Sequence, residues 1–355
     1  MVDISKVEYK VLIITPDGDH ADITPITTNL GWEEGEKELA VRISMQIVNA
    51  KYNGKDVSEI ICPGTPVFIY YIINDGEPEE AVRGTVEKWK LNFSNSRTTI
   101  DIEAYDMMNA ARHNQDNKYF SEGTSTKAIM ENILSNWQMP YSYNGPSVSH
   151  GKTVFKHKYL SDMFKTVLDE ARKKGAGVYY IRANKGVVEV IPRGNNEDIY
   201  HFDQDENAVS VTDSFDISNT VTCAIVVGKS KDEGHEPVQA VLYGKTSTFG
   251  HRQVIYDMPK ESSLDETTKS AQEMLKEKGE AARKTDLQAP DLPFLRKGDR
   301  IRVRAGTAQG YFFVKSVRHN AADGNMTLAI DEDKERNESI DTNYSSEATE
   351  EGDGS

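Results

Sequence analysis

The histidines and cysteines, which supply most protein nucleophiles and metal ligands, are scattered in this sequence. His150 and His157 are seven positions apart, which is neither the i, i+4 pair of a helical zinc site nor the spacing of a zinc finger. Cys62 and Cys223 are the only cysteines, and neither has a histidine close by in the sequence. We therefore predict that both histidines are surface or loop residues, that both cysteines are buried free thiols, and that the chain binds no metal or other cofactor.

Paired carboxylates could supply the acid and base of a glycosidase, and adjacent tyrosines could stack on sugars or bases. Such pairs arise by chance in a chain with 57 acidic residues, and adjacent tyrosines in a strand point to opposite faces. A GKTS sequence lacks the earlier glycine of a phosphate-binding loop. We therefore predict that the protein is not an enzyme and that no site is formed by Glu79 and Glu80, Asp203 and Asp205, Asp331 and Asp333, Tyr70 and Tyr71, Tyr179 and Tyr180, or Gly244 to Ser247.

The composition indicates a soluble protein of several domains with an acidic surface. Its 355 residues exceed one ordinary domain, 37% of them are hydrophobic, and the formal net charge is −15. No apolar run reaches the roughly 18 residues of a membrane helix, and the start of the chain lacks a secretory signal, so we predict no membrane insertion. The acidic charge also argues against a surface that binds phosphates, so we predict no specific nucleic-acid binding.

The stretch from Phe294 to Ile330 predicts three antiparallel strands. Ile301 and Val303 alternate with arginines, which is the period of a half-buried strand. Gly310 precedes a second run rich in β-branched and aromatic residues. Residues 322–325 (ADGN) predict a tight turn before the third strand.

Residues 63–106 show the same order of a strand, a glycine with a second strand, a polar turn and a third strand. The pattern leaves two interpretations open, either two related small barrels or two meanders that look alike because all meanders share turn chemistry. On the first interpretation we align Gly64 with Gly298, Gly84 with Gly310, the turn at 92–98 with the turn at 319–325, and Ile100, Ile102 and Ala104 with Leu328 and Ile330.

The predicted fold class is mainly β with an α+β middle, in which two small related β-barrel domains flank a helix-plus-sheet domain. The first barrel is placed at residues 1–111. Within it we predict a strand at Val7–Ile14, a polar loop that contains Trp32, and a strand at Leu39–Val48.

The middle domain is placed at residues 112–200. We predict one amphipathic helix capped by Thr124 or Ser125, a second helix capped by Ser161, and a hairpin at residues 178–192.

The second barrel is placed at residues 201–335, and a charged helix at 262–286 interrupts it, with Ser262 and Asp265 resembling a capping box. The last 25 residues, 331–355, contain ten acids and two bases, and we predict that residues 336–355 are a disordered tail.

These parts together resemble a known family. The residues that carry the resemblance are WEEGEKELAVRISMQIV (32–48), VRGTVEKWKL (82–91) with IEAYDMMNAARHN (102–114), KYFSEGTSTKAIMENIL (118–134) and LRKGDRIRVRAG with GYFFVKSVRH (295–319). In this order they resemble the baseplate or tail hub proteins of contractile phage tails and phage-tail-like particles, the XkdQ-like late control D family. The resemblance covers nearly the whole chain except the acidic tail.

The resemblance implies a virion structural protein that assembles as a homotrimer. Each subunit would contribute two tube-type barrels, so that three subunits present six to the sixfold tail tube while the other side of the ring receives the threefold spike. Further implied partners are other baseplate proteins, with the tape measure as an additional candidate. The implied location is the baseplate of a phage, prophage or tail-like bacteriocin, assembled in the bacterial cytoplasm.

Two functions from other classes remain as alternatives. A tail-associated peptidoglycan hydrolase would need a cleft with paired carboxylates or a Cys–His pair. An oligosaccharide- or oligonucleotide-binding barrel protein would need an exposed aromatic groove.

Overall fold

The computed structural model of the protein describes residues 6–94, 97–228, 236–258 and 263–337. The fold is mainly β, with antiparallel sheets and few helices. The chain divides into two compact units, Met1–Val211 with Asp286–Ser355, and Thr212–Thr285. The boundaries predicted at 111/112, 200/201 and 335/336 stay predictions. In the described ranges, every helix is too short or too polar to cross a lipid bilayer.

The first β half of the larger unit encloses its own hydrophobic core. Alternation explains its strands, since Ile43, Met45 and Ile47 are buried whereas the residues between them are only partly so. The first strand has the predicted bounds. The elements are β1 (Val7–Ile14), β2 (His20–Asp22), a 3₁₀ turn (Thr24–Ile26), β3 (Thr27–Glu34), β4 (Arg42–Val48), β5 (Lys51–Tyr52), β6 (Lys55–Asp56), α1 (Val57–Ile60), β7 (Pro66–Ile73), β8 (Glu79–Phe93) and β9 (Thr98–Tyr105).

The middle of the chain packs two amphipathic helices on small sheets around a second core. Ser125 caps the first of these helices by accepting a hydrogen bond from the Ala128 N–H (3.2 Å), as predicted. The cap predicted at Ser161 is wrong, because that helix already begins at Leu160 with Tyr159 as its N-cap. The elements are α2 (Asn109–His113), β10 (Gln115–Phe120), α3 (Thr126–Asn136), β11 (Tyr141–Tyr143), β12 (Thr153–Tyr159), α4 (Leu160–Lys173), β13 (Tyr179–Asn184) and β14 (Val187–Pro192).

The smaller unit follows β15 (Tyr200–Asp203) and the start of β16 (Ser210–Asp216) in the chain. Within this unit, β17 lies between an antiparallel β18 and a parallel β19, and Ala271 and Leu275 of the long helix pack on one face of that sheet. The elements are β17 (Cys223–Val227), β18 (Val238–Tyr243), α5 (Thr246–Phe249), β19 (Gln253–Asp257) and α6 (Leu264–Lys278).

Helix α6 is shorter than the predicted helix at 262–286. Its capping box is formed by Ser263 and Glu266, so the predicted use of Asp265 is wrong, and Ser262 lies outside the described residues. The helix ends at Lys278 and the chain then enters a strand at Ala282. The charged residues after 278 therefore belong to the sheet.

The second β half encloses a third core and completes the larger unit. Its remaining strands are β20 (Ala282–Pro290), β21 (Arg300–Ala305), β22 (Ala308–Asn320) and β23 (Asn325–Glu332). The last three are the strands predicted between Phe294 and Ile330, with Gly324 at φ +63° in the predicted turn. Through the pairing of β22 with β3, the two halves share one 13-stranded sheet.

The two halves repeat the same strand order. The first reads β3-β4-β9-β8-β7-β1, and the second reads β16-β20-β23-β22-β21-β15. They differ at the last position, since β1 is antiparallel to β7 but β15 is parallel to β21. Elements β17 to α6 of the smaller unit are inserted in the chain between β16 and β20, where the first half has only the short β3–β4 connection.

The repeat extends to single hydrogen bonds. Gly64 and Gly298 both have φ +96°, and their N–H groups donate to Val86 and Val314 respectively, each at 2.8 Å. Immediately after Val86 the register of β8 against β9 shifts, and immediately after Val314 the register of β22 against β23 shifts in the same way. A glycine is favoured at both turns because this φ is strained for other residues.

The strand register corrects part of the predicted alignment. Val86 pairs with Ala104, and Val314 pairs with Ile330, so these positions correspond as predicted. Counting back two residues from each valine, Gly84 corresponds to Phe312. The predicted equivalence of Gly84 with Gly310 is therefore wrong by two residues.

Candidate functional site

Five of the six carboxylates considered for catalysis bond to a basic side chain or a hydroxyl, and Asp205 instead donates its backbone N–H to Asp203 (3.0 Å). Glu79 accepts a hydrogen bond from Tyr71 (3.1 Å) and Glu80 from Arg83 (2.7 Å). Asp203 accepts one from Arg304 (2.6 Å), and Asp331 and Asp333 accept them from Arg193 and Arg300. The Arg83, Arg304, Arg193 and Arg300 partners neutralise the charges that an acid–base pair would use. These carboxylates therefore brace loops and strands.

The predictions for histidines and cysteines are only partly right. His157 is exposed and Cys223 is buried, as predicted. Cys62 is exposed instead, because it lies in the turn before Gly64. His150 lies in a loop but is buried, with 2% of its surface exposed. Among the described residues, no three His, Cys, Asp or Glu side chains form a group that could hold a metal ion.

His150 connects two side chains in the manner of a hydrolase triad. One ring nitrogen lies 2.8 Å from Thr126 Oγ1 and the other lies 2.8 Å from Glu170 Oε2. Thr126 is fully buried, and its hydroxyl also donates to the Val148 carbonyl (3.1 Å). A nucleophile must be reachable by substrate. This triad therefore ties the start of α3 to α4.

A buried charge cluster surrounds the turn that precedes β21. We define the central charge cluster as Glu34, Arg182, Arg296, Lys297 and Asp299. All of these side chains are mostly buried in the larger unit. Glu34 ends β3 in the first half, Arg182 lies on β13 in the middle region of the chain, and the other three precede β21 in the second half. The cluster therefore joins all three parts of this unit.

Arg296 makes the bond that joins the first half to the second. Its Nε bonds to Oε1 of Glu34, and its Nη2 lies 3.2 Å from Oε2. The same Nη2 donates to the Ala183 carbonyl in the middle region (3.0 Å). Although burial disfavours a charged carboxylate, the Arg296 guanidinium holds the pKa of Glu34 below its ordinary value.

Lys297 and Arg182 extend the same contacts. Lys297 Nζ donates to the carbonyls of Gly35 (3.0 Å) and Glu38, and burial lowers the pKa of Lys297. Arg182 Nη1 donates to the Lys297 carbonyl (3.0 Å) and lies 3.4 Å from Asp299 Oδ1. Lys297 thus bonds to two carbonyl groups of the β3–β4 connection, and the Gly35 carbonyl also accepts a hydrogen bond from the Glu38 N–H (3.1 Å).

Sequence reasoning missed Glu34, the anion at the centre of this cluster. It placed Trp32 and the glutamates after it in a polar loop, but Trp32 and Glu34 lie in β3 and both are buried. The alternation of Leu30, Trp32 and Glu34 could have indicated this strand, with a buried charge at its end. The strand predicted at 39–48 begins only at Arg42.

An aromatic cluster lies beside the shared strand pair. The His319 ring stacks on Trp32, with 4.5 Å between centroids, and its Nδ1 lies 2.6 Å from Asp291 Oδ1. The other nitrogen donates to the Leu295 carbonyl (3.1 Å). Tyr9 donates to the second oxygen of Asp291 (2.5 Å). Since His319 is fully buried, these contacts fix the β22–β3 pairing.

Asp106 is a buried carboxyl directly after β9. The Met108 N–H donates to its Oδ1 (2.9 Å), but its Oδ2 has no hydrogen-bond partner among the residues that the structure describes. Burial raises the pKa of Asp106 to about 7. At neutral pH this group is therefore partly protonated in the folded protein.

We expect Asp106→Asn to change the pH dependence of stability. In the unfolded chain Asp106 has the ordinary pKa near 4, so the folded state binds its proton more tightly. The resulting contribution to the free energy of unfolding is fully present below about pH 4. It is lost as the pH rises to about 7. The shift of about three units corresponds to about 4 kcal/mol. The unmodified protein should therefore lose stability between about pH 4 and pH 8 that the variant does not lose. Measured by urea denaturation, the free energy of unfolding of the variant minus that of the unmodified protein should rise by about 4 kcal/mol over this range. A difference independent of pH would contradict this assignment.

A polar groove of about 610 Å³ is lined by β3, β4, β8 and β9 of the first half and by the end of β22 with the turn after it. Its charges are balanced, for example by the pairing of Lys88 with Glu103 (2.9 Å). Gln46 and Asn92 donate to Asp101 at 2.7 and 2.6 Å and hold its pKa below the ordinary value. The groove is therefore a polar, hydrogen-bonded protein surface without a dominant charge.

Comparisons with known proteins agree on the fold. The tail protein of prophage MuSo2 from Shewanella oneidensis has 11% identity and a TM-score of 0.65, over 91% of this chain and 98% of that chain. A tail protein from Neisseria meningitidis MC58 has 14% identity and a TM-score of 0.62, over 92% and 97%. At these identities the likeness shows a shared fold.

A third structure comes from a secretion system. The E. coli c3393 protein, described as a component of the type VI secretion system, has 10% identity and a TM-score of 0.51, over 92% of this chain and 76% of that chain. No curated relative matches the sequence. The fold is shared with solved tail proteins.

The sequence itself matches one family model, described as YQBQ-like, over residues 30–331. This match begins in β3 and ends in β23, so it includes most of both β halves, the inserted unit and every residue of the central charge cluster. Since the match covers most of its residues, the chain belongs to the YQBQ-like family.

Proposed function

We propose that this protein is the baseplate hub of a contractile phage tail or tail-like particle. In this role a homotrimer joins the sixfold tail tube to the threefold spike. The observation that carries the proposal is the repeat within one chain, in which six strands recur in the same order with the same glycine turn and register shift.

The repeat suits a symmetry adaptor for a geometric reason. A ring closes only if the rotation between neighbouring units closes. Three chains with two similar β halves offer six similar surfaces in a ring that is itself threefold. The differences between the halves, such as the insertion between β16 and β20, leave one side of that ring threefold for the spike.

The similar proteins support the same role. The solved relatives from Shewanella oneidensis and Neisseria meningitidis are tail proteins. The E. coli c3393 protein is described as structurally similar to the T4 tail proteins gp27 and gp5. We propose the tail tube, the spike and other baseplate proteins as partners, with the tape measure as a further candidate, and assembly of the particle in the bacterial cytoplasm.

The oligomeric state tests this proposal. We expect native mass spectrometry of the purified protein, or of its complex with the spike, to give three times the monomer mass. Electron microscopy of the particle should place the protein between tube and spike. A stable monomer within the assembled particle would overturn the proposal.

The hydrolase alternative makes an opposite prediction. Because the candidate carboxylates are paired and the Thr126 triad is buried, we expect no release of soluble fragments from purified peptidoglycan. A lysozyme sample serves as the positive control. Fragment release that disappears on Glu80→Gln or Asp203→Asn would favour the enzyme.

A further inference from the structure

The two-stranded sheet of β10 and β12 exposes a basic and aromatic surface on an otherwise acidic protein. One side of the sheet is core, since Phe120 and Phe155 are buried. Among the exposed side chains of this region we define the β10–β12 patch as Tyr119, Lys152, Val154, Lys156 and Tyr159, with Lys158 at its edge on the side of Asp116.

The apolar part of this patch is formed by a direct cross-strand pair. Tyr119 pairs with Val154, and 63% of the tyrosine and 46% of the valine are exposed. Lys152 Nζ lies 5.9 Å from the centre of the Tyr119 ring, within the range of a cation–π contact. A cation, a ring and an aliphatic side chain are therefore adjacent on one open face.

Asp116 is the cross-strand neighbour of Lys158, but its ion pair is with Lys118. Within the described ranges, Lys152, Lys156 and Lys158 form no ion pair, whereas Lys118 on the neighbouring strand pairs with Asp116 (3.4 Å). Residues 112–200 contain 13 Lys and Arg against 9 Asp and Glu, although the whole chain has a net charge of −15. This charge asymmetry favours an acidic protein segment as the group that covers the patch.

We propose that the β10–β12 patch binds the acidic C-terminal segment of its own chain, residues 338–355. That segment has six Asp and Glu and no Lys or Arg. Its Ile340 and Tyr344 offer apolar contacts for Tyr119 and Val154. Eighteen residues can span up to about 60 Å, which exceeds the diameter of a small domain. A partner that docks on the patch would have to displace the segment.

A zero-length carbodiimide cross-linker tests the proposal on the full chain, because it joins a lysine to a carboxylate only where the two are in contact. We expect mass spectrometry to find links from Lys152, Lys156 and Lys158 to carboxylates after Arg336. Their yield should fall at high salt, because salt screens exposed charges. A mixture of isotopically light and heavy chains should give links within one copy.

Charge reversal provides the matched comparison. In Lys152→Glu/Lys156→Glu, the link at the remaining Lys158 should fall by about fivefold, as expected for the loss of two surface ion pairs. In Lys10→Glu/Lys51→Glu, which changes the net charge equally at two exposed lysines elsewhere, it should not change. Links spread evenly over all exposed lysines, links only between copies, or equal effects of the two variants would each overturn the proposal.

Discussion

Replacing Arg296 by methionine should lower the free energy of unfolding by about 3–5 kcal/mol, because it leaves the Glu34 carboxylate buried without its counter-charge. Glu34 is 3% exposed, so contact with bulk solvent is too small to replace the lost bonds. The Ala183 carbonyl also loses its donor. Urea denaturation at pH 7 measures the loss, and the effect should be larger than that of any exposed charge.

Two further variants test the cause. Arg318→Ala removes an exposed pair with Glu33 at 3.9 Å, and it should cost at most about 1 kcal/mol. The double variant Glu34→Leu/Arg296→Met removes both charges, so its loss should be clearly smaller than the sum of the two single losses. Strictly additive losses would show that the pair is not coupled.

Gly298→Ala is the second substitution for which we expect a large effect. The φ of +96° is strained for alanine by about 1–2 kcal/mol. A Cβ here would also lie 2.9 Å from the half-buried Tyr180 ring, which adds about 1–3 kcal/mol of overpacking. The free energy of unfolding should therefore fall by about 2–5 kcal/mol. The substitution would also displace the turn at Gly298, which positions Lys297 and Asp299 of the central charge cluster.

The repeat supplies the control for this substitution. Gly64 has the same φ, but a Cβ at Gly64 meets no atom within 4 Å. Gly64→Ala should therefore show only the backbone term of about 1–2 kcal/mol. Equal losses at the two glycines would mean that contact with Tyr180 contributes nothing. A larger loss at Gly64 would contradict the structural equivalence of the two turns.

Local periodicity determined which segments are strands and helices. The bounds of β1, the three strands after Arg300, the hairpin of β13 and β14 and the stripes of α3 and α4 follow from spacing alone, because a half-buried element must alternate with its own period. The alignment of Gly64 with Gly298 was also visible, since a glycine before a strand marks a backbone that other residues resist. The register shift that corrects Gly84 was not visible, because a register is a property of two strands.

The tertiary structure decided which segments meet. Nothing local to Glu34 indicates that it pairs with Arg296, which lies 262 positions away, or that β22 pairs with β3. The same limit explains the errors at Trp32 and Cys62, since burial depends on what packs against a residue and not on its neighbours in sequence. A one-dimensional pattern carries the period of an element and the chemistry of its turns, whereas partner choice depends on the energy of long-range contacts that form only in the complete fold.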